Sequence, residues 1–318
     1  MGYFVDKVLS LKETKNGDYL AIYNEGKIRY LINIEKGNSF YAKKKLSLNI
    51  AAYSSKLGML MKMLKWIPSN LLILVGIARR VSLAIDPEVK RAVGEVSKDR
   101  YAGRKVCFNV IVGSYVEKQK IVLQCFCPEE KAIAVYLKIG DEQTENELVA
   151  ETAYLTNPIN TKVFNSPKLC YSSTRKVGNK YNIQGTNEFV GDTVPPVITA
   201  DIVDMYKAIC LSRSKMVDNR GESLYFSHGD FVPWNIKMTD RGYTLFDWEY
   251  CGFRFYGFDL IHFAWQVENK LKKKDIHQAF CSAIAECKKW DEQLCNYDDD
   301  ELERKYFEEL HKQFGDVL

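Results

Sequence analysis

The residues best placed to do chemistry lie between positions 227 and 259. The run Ser227-His228-Gly229-Asp230-Phe231-Val232-Pro233-Trp234-Asn235-Ile236-Lys237-Met238 reads as a polar loop followed by a short strand. Thr239-Asp240-Arg241-Gly242 marks a turn, and Tyr243-Thr244-Leu245-Phe246-Asp247 a second strand ending in a carboxylate. Folded as a hairpin, this segment draws Asp230, Asn235 and Asp247 toward one spot although the outer two are seventeen positions apart. Two carboxylates and an amide oxygen form a hard oxygen-ligand set, suited to Mg2+ carrying phosphates.

The spacing His228-x-Asp230-x-x-x-x-Asn235 is followed by Asp247-Trp248-Glu249-Tyr250 and then Gly257-Phe258-Asp259-Leu260. This succession resembles the catalytic core of the protein-kinase-like superfamily, most closely the aminoglycoside phosphotransferase and choline kinase branch of small-molecule kinases. The resemblance covers about residues 106–265, roughly half the chain. It implies ATP and Mg2+ as cofactors, with Asp230 orienting the acceptor hydroxyl and taking its proton, and Asn235 and Asp247 holding the metal. It gives His228 a loop-bracing role rather than that of a base, and Asp259, opening a helix, a loop-supporting or capping one. Upstream it demands a strand lysine for the α- and β-phosphates and a helix glutamate to hold it. Lys138, near the end of Ala134-Val135-Tyr136-Leu137-Lys138-Ile139-Gly140, and Glu151, thirteen residues later, meet that demand, with Glu147 the fallback one turn earlier. Gly113 and Ser114 open the expected phosphate-covering loop, and the adenine-binding hinge is expected over residues 184–190.

Departures from the protein-kinase pattern narrow the acceptor. Gly229 stands where those enzymes keep arginine, Trp248-Glu249 replaces Phe-Gly, no Ala-Pro-Glu follows, and only a dozen positions separate Asp247 from Asp259. An activation segment does not fit, so a small-molecule hydroxyl of a sugar, an aminoglycoside-like compound or an amino alcohol is expected. The aromatic residues of 246–265 leave two readings open: a cage for a quaternary ammonium, as in a choline or ethanolamine kinase, or simple core packing. A catalytically silent kinase-fold scaffold is the rival of another class. Such proteins usually lack the lysine, the loop aspartate or the metal aspartate, and all three are present here.

The elements that must position these residues are those of an ordinary globular chain. Of 318 residues, 46% are hydrophobic and 27% charged, which excludes wholesale disorder. The longest apolar run, residues 71–78, falls far short of the roughly 20 residues that span a bilayer. The formal charge of +4 is too slight to point to a nucleic-acid partner. Nine scattered cysteines without a Cys-x-x-Cys pair argue for a reducing cytoplasm, with Cys125 and Cys127 as core filler. Residues 1–100 carry 18 basic and 9 acidic side chains, whereas residues 291–318 carry 3 and 10.

A hairpin is expected over residues 19–23 and 28–34, then basic amphipathic helices over 55–67 and 70–83. Packing on the rest of the chain is the simplest use for those helices, with a peripheral membrane or protein contact through residues 55–83 as the alternative. An antiparallel meander follows over 106–112, 120–126 and 132–139, then a helix over 145–155, strands over 168–175 and 180–185, and a helix over 200–216. The resulting expectation is an α+β, bilobal protein-kinase-like fold: an extension over 1–100, an antiparallel-sheet nucleotide-binding lobe over 101–190, and a mainly helical catalytic lobe over 191–318.

Overall fold

A computed structural model describes residues 3–35, 66–112, 118–129, 135–159, 161–175, 178–187 and 191–315. In chain order the described strands begin with β1 Leu9–Glu13, β2 Tyr19–Asn24, β3 Lys27–Asn33, β4 Ala78–Ile85, β5 Cys107–Val112, β6 Ile121–Phe126, β7 Val135–Gly140 and β8 Phe164–Asn165. They continue with β9 Leu169–Ser173, β10 Asn182–Asn187, β11 Asp192–Thr193, β12 Met216–Val217, β13 Ser223–Ser227, β14 Ile236–Thr239, β15 Gly242–Leu245 and β16 Gly252–Arg254. The described α-helices are α1 Phe4–Val8, α2 Ser69–Leu74, α3 Pro87–Tyr101, α4 Glu145–Thr156, α5 Ala200–Leu211, α6 Phe258–Gln266, α7 Ile276–Trp290 and α8 Asp299–Phe314. The fold class is α+β, and the chain divides into two compact units: residues 1–152 with 167–190, and residues 153–166 with 191–318.

The first unit is built on a nine-stranded antiparallel sheet of order β1-β4-β2-β3-β5-β6-β7-β10-β9. Strand alternation sends Ala21, Leu31, Val110, Leu123, Leu137 and Ile183 to one face, where Val89, Ala92, Val93 and Val96 of α3 cover them. Leu20, Ile22, Ile32, Cys107 and Phe126 take the other face with Leu72 of α2. The meander appears where expected, as β5, β6 and β7. Residues 1–85 do more than precede it, because β3 pairs with β5 through Tyr30↔Ile111 and Leu31↔Val110.

The helix expected over 70–83 is corrected to one and a half turns followed by a strand. α2 stops at Leu74, Gly76 takes φ +73°, and β4 runs antiparallel between β1 and β2. The apolar run 71–78 has no period of its own. Val81, Leu83 and Ile85, every second residue, join one core face, and that alternation is the strand signal. Residues 55–65 lie outside the described residues.

The second unit holds two small sheets, β11-β14-β15-β8 and β12-β13-β16, among α5 to α8. α5 is shorter than its expected span to 216. The Ser212 hydroxyl donates to the Ile209 carbonyl at 2.6 Å and closes the last turn, and Met216–Val217 pairs as β12 with β13. Of the aromatic stretch 246–265, Trp248, Phe255, Tyr256, Phe258, Phe263 and Trp265 are buried, with Trp248 stacked on Tyr154 at 3.9 Å, whereas Phe246, Tyr250 and Phe253 are half-buried. Asp298 caps α8 by accepting from the Asp300 and Glu301 backbone N–H groups, so the acidic run there complements a helix N-terminus.

Candidate active site

In the first unit, β7 and α4 bring the expected pair together. Lys138 Nζ lies 2.6 Å from Glu151 Oε2, and the two side chains are 18% and 5% exposed. The connection is tight. Asp141 accepts from the Gln143 N–H at 3.1 Å, and a Cβ on Gly140 would meet Thr144 Oγ1 at 2.0 Å, so only glycine lets the helix start this close to the strand end. Glu147, one turn earlier, has other partners: Lys118 Nζ at 3.0 Å and Lys120 Nζ at 2.8 Å. Burial pushes the Glu147 carboxyl up, but the hydrogen bonds and charges of Lys120 and Lys118 outweigh it and hold the group below its ordinary value. Gly113 and Ser114 lie outside the described residues, as does the hinge beyond Asn187.

Lys138 shares its sheet face with a polar ladder that the sequence reading missed. Asn109, Gln124 and Tyr136 are register partners on β5, β6 and β7. Asn109 Nδ2 donates to Gln124 Oε1 and Gln124 Nε2 to the Tyr136 hydroxyl, each at 2.9 Å. Buried amides require such partners.

In the second unit, the loop after β13 is fastened from below by Asp259 in the first turn of α6. Its buried carboxylate accepts from Ser227 Oγ at 2.7 Å, His228 N at 2.7 Å and Gly229 N at 3.0 Å. His228 is fully buried; its Nδ1 accepts from the Asp230 N–H at 3.2 Å and its Nε2 faces the Phe246 carbonyl at 3.0 Å. That pattern suits a neutral ring protonated on Nε2. Burial lowers the imidazole pKa below its ordinary value, against the opposing charges of Asp259, Asp230 and Asp247.

Gly229 follows in the left-handed region at φ +85°, with the Tyr250 carbonyl oxygen 2.1 Å from where a Cβ would stand. No arginine fits there. The Asp230 side chain remains 21% exposed. Asn235 Nδ2 donates to the Asp230 carbonyl at 3.0 Å and to Asp230 Oδ2 at 2.9 Å. Those two acceptors fix the amide orientation and turn Asn235 Oδ1 away from them.

β14 and β15 pair from Ile236↔Leu245, and Phe246 N donates to the Asn235 carbonyl at 3.1 Å. The open end of this hairpin therefore holds Asn235 beside the approach to Asp247. Asp247 has φ +70°, a conformation that aspartate tolerates better than most residues and that often marks functional sites. A Glu249 oxygen lies within 4.8 Å of one on Asp247, adding a carboxylate to which the sequence reading gave no metal role. Asn235, Asp247 and Glu249 thus offer oxygen donors of the kind a hard divalent cation takes. The segment from Asp247 to α6 is filled by a 3-10 turn, Trp248–Tyr250, and by β16, with no room for an activation segment.

The class these features define is a two-unit α+β protein whose second unit carries a buttressed Asp-Asn loop and a hairpin leading to Asp247. No family model and no curated protein matches the chain. Among solved structures it is similar to amicoumacin kinase hAmiN in complex with AMP-PNP, Ca2+ and Ami, at 12% identity over 55% of this chain and 70% of that one, TM-score 0.34. It is also similar to a thermostable mutant of aminoglycoside phosphotransferase APH(4)-Ia in its apo form, at 8% identity over 70% of this chain and 99% of that one, TM-score 0.39. No described helix is long and apolar enough to cross a membrane.

Proposed function

We propose that the chain is an ATP- and Mg2+-dependent phosphotransferase that moves the γ-phosphate to a hydroxyl of a small molecule. The observation that carries this reading is the loop itself: Asp230 is held through Asn235 Nδ2 at 2.9 Å, while Asp259 fastens the backbone on either side of His228. Nothing in simple packing asks for a partly exposed carboxylate gripped in this way. A bound Mg2+ would neutralise charge spreading over the transferred phosphoryl group, and Asn235, Asp247 and Glu249 would hold it. Asp230 orients the acceptor hydroxyl and accepts its proton late, and Lys138, braced by Glu151, binds the α- and β-phosphates. His228 is spent on hydrogen bonds within the loop and supplies no base.

The acceptor class proposed is a sugar, an aminoglycoside-like compound or an amino alcohol. Six of the nine aromatic side chains in 246–265 are buried, which favours the first two over a choline-type cation, and the half-buried Phe246, Tyr250 and Phe253 are the rings left to a choline-type reading. The test is transfer of labelled phosphate from MgATP by the purified full chain to sugars, aminoglycosides, choline and ethanolamine. Asp230→Asn should abolish transfer, roughly 10²-fold or more in kcat, while leaving ATP affinity within a few-fold. Wild-type protein that binds MgATP but transfers to no acceptor and to no water would instead be a silent scaffold.

A further inference from the structure

α6 presents two polar side chains to the loop at i and i+3. Asp259 takes the backbone, and His262 reaches the side chain of Asp230. His262 is fully buried, with Nε2 3.1 Å from Asp230 Oδ1 and Nδ1 2.9 Å from the Tyr306 hydroxyl of α8. Its ring lies parallel to that of Phe258, 5.7 Å between centroids at 8°. An aliphatic side chain would pack among such rings, so a buried imidazole there answers to its two polar partners.

The carboxylate partner also orients one of its ring protons. A carboxylate oxygen accepts, so the contact at Asp230 Oδ1 calls for a hydrogen on Nε2, while the Tyr306 hydroxyl, able to donate or accept, partners Nδ1. Gln266, one turn further along α6, lies with its amide 3.4 Å from His262 Nε2, and its buried Oε1 has no hydrogen-bond partner among the described residues. Turning that amide over would let Oε1 accept from the same N–H.

We infer that His262 is a positioning residue for Asp230: its Nε2–H pins Oδ1 while Asn235 pins Oδ2, so the carboxylate is held from both ends with one lone pair on each oxygen left for an acceptor hydroxyl. The inference rests on the phosphotransferase reading for its kinetic consequence, and on geometry alone for the hydrogen bond. Tyr306 supports the imidazole from the far side, at Nδ1. The clamp thus runs from α8 through α6 to the loop.

The test compares His262→Leu, which keeps bulk and loses the donor, with His262→Gln, whose amide N–H can take the place of Nε2–H. The probe reaction is MgATP turnover by the full chain, with water or the best acceptor of the panel. His262→Leu should lower kcat by roughly 10- to 100-fold, the size expected of a misplaced catalytic group, with KM for ATP within two-fold. His262→Gln should recover most of that loss. Unchanged kcat in His262→Leu, or loss with no rescue by glutamine, overturns the inference.

Nitrogen-15 spectra of the imidazoles provide the readout that needs no turnover. The signal lost in His262→Gln should be that of an Nε2–H tautomer, and it should shift in Asp230→Ala. An Nδ1–H tautomer, or a signal indifferent to Asp230, overturns the clamp. Clear Nε2–H signals in a protein that never turns over ATP would sink the phosphotransferase reading and leave the hydrogen bond standing.

Discussion

Gly229 and His228 show how few side chains could occupy the loop. A Cβ at Gly229 would sit 2.1 Å from the Tyr250 carbonyl oxygen in a backbone already at φ +85°. Gly229→Ala must displace the segment after Asp247, costing on the order of 3 kcal/mol and most of the activity. Thermal melting and turnover measured together check this, and an alanine variant as stable and active as wild type would contradict it. His228 makes stability depend on pH. Its native pKa lies below its ordinary value of 6.5, so on acidification the unfolded chain takes the proton first. Its contribution is therefore complete above about pH 6.5 and is lost as the pH falls through the depressed native value. The melting temperature should decline over that window, and the decline should be shallower in His228→Gln. Equal slopes would assign the effect to other groups.

At the scale of elements, the β7 to α4 connection makes the clearest claim. Lys138→Met removes the cation 2.6 Å from a Glu151 side chain that is 5% exposed. Weakening a pair so placed costs about 3 kcal/mol, and Lys138→Met with Glu151→Leu should regain much of the stability without regaining activity. Denaturant melts of the single and double variants, alongside KM for ATP, separate the two effects; a double variant no more stable than the single would deny the pair its structural share. This pair was legible in the sequence because the resemblance demands a strand lysine and a helix glutamate, and Lys138 near a strand end and Glu151 beside a helix's apolar stripe answer to it. His262 was not legible, since Asp-Leu-Ile-His-Phe-Ala-Trp reads as a helix of apolar residues with one histidine among them. Only the position of Asp230 and Tyr306 around the ring gives it a meaning. The misread helix over 70–83 has the opposite cause: a run of apolar residues carries no period, and pairing with β1 and β2 decided its conformation.

For the molecule as a whole, the decisive question is whether residues 1–100 can be detached. They carry twice as many basic as acidic side chains, 18 against 9, and from composition alone look like an appendage. Within the first unit they supply four strands of the nine-stranded sheet. Leu20, Ile22, Leu31 and Ile32 are all fully buried there. They also tie into later parts of the same unit: Glu88 accepts from the Lys180 and Tyr181 N–H groups at 2.8 and 3.0 Å, and Gln119 Oε1 from the Val5 N–H at 3.0 Å. Each large apolar side chain buried is worth about 1.5–3 kcal/mol, so the four together rival the roughly 5–15 kcal/mol by which a whole domain is stable. A chain beginning at residue 101 would leave β5 as an open edge beside an uncovered core, the arrangement most prone to aggregation. It should be insoluble or lack a cooperative melt, whereas a boundary drawn for a mere extension would leave a soluble nucleotide-binding protein. Sedimentation and a calorimetric scan of that truncated chain decide between them, and a monomer that melts sharply and binds MgATP would show that the sheet does not need its first four strands.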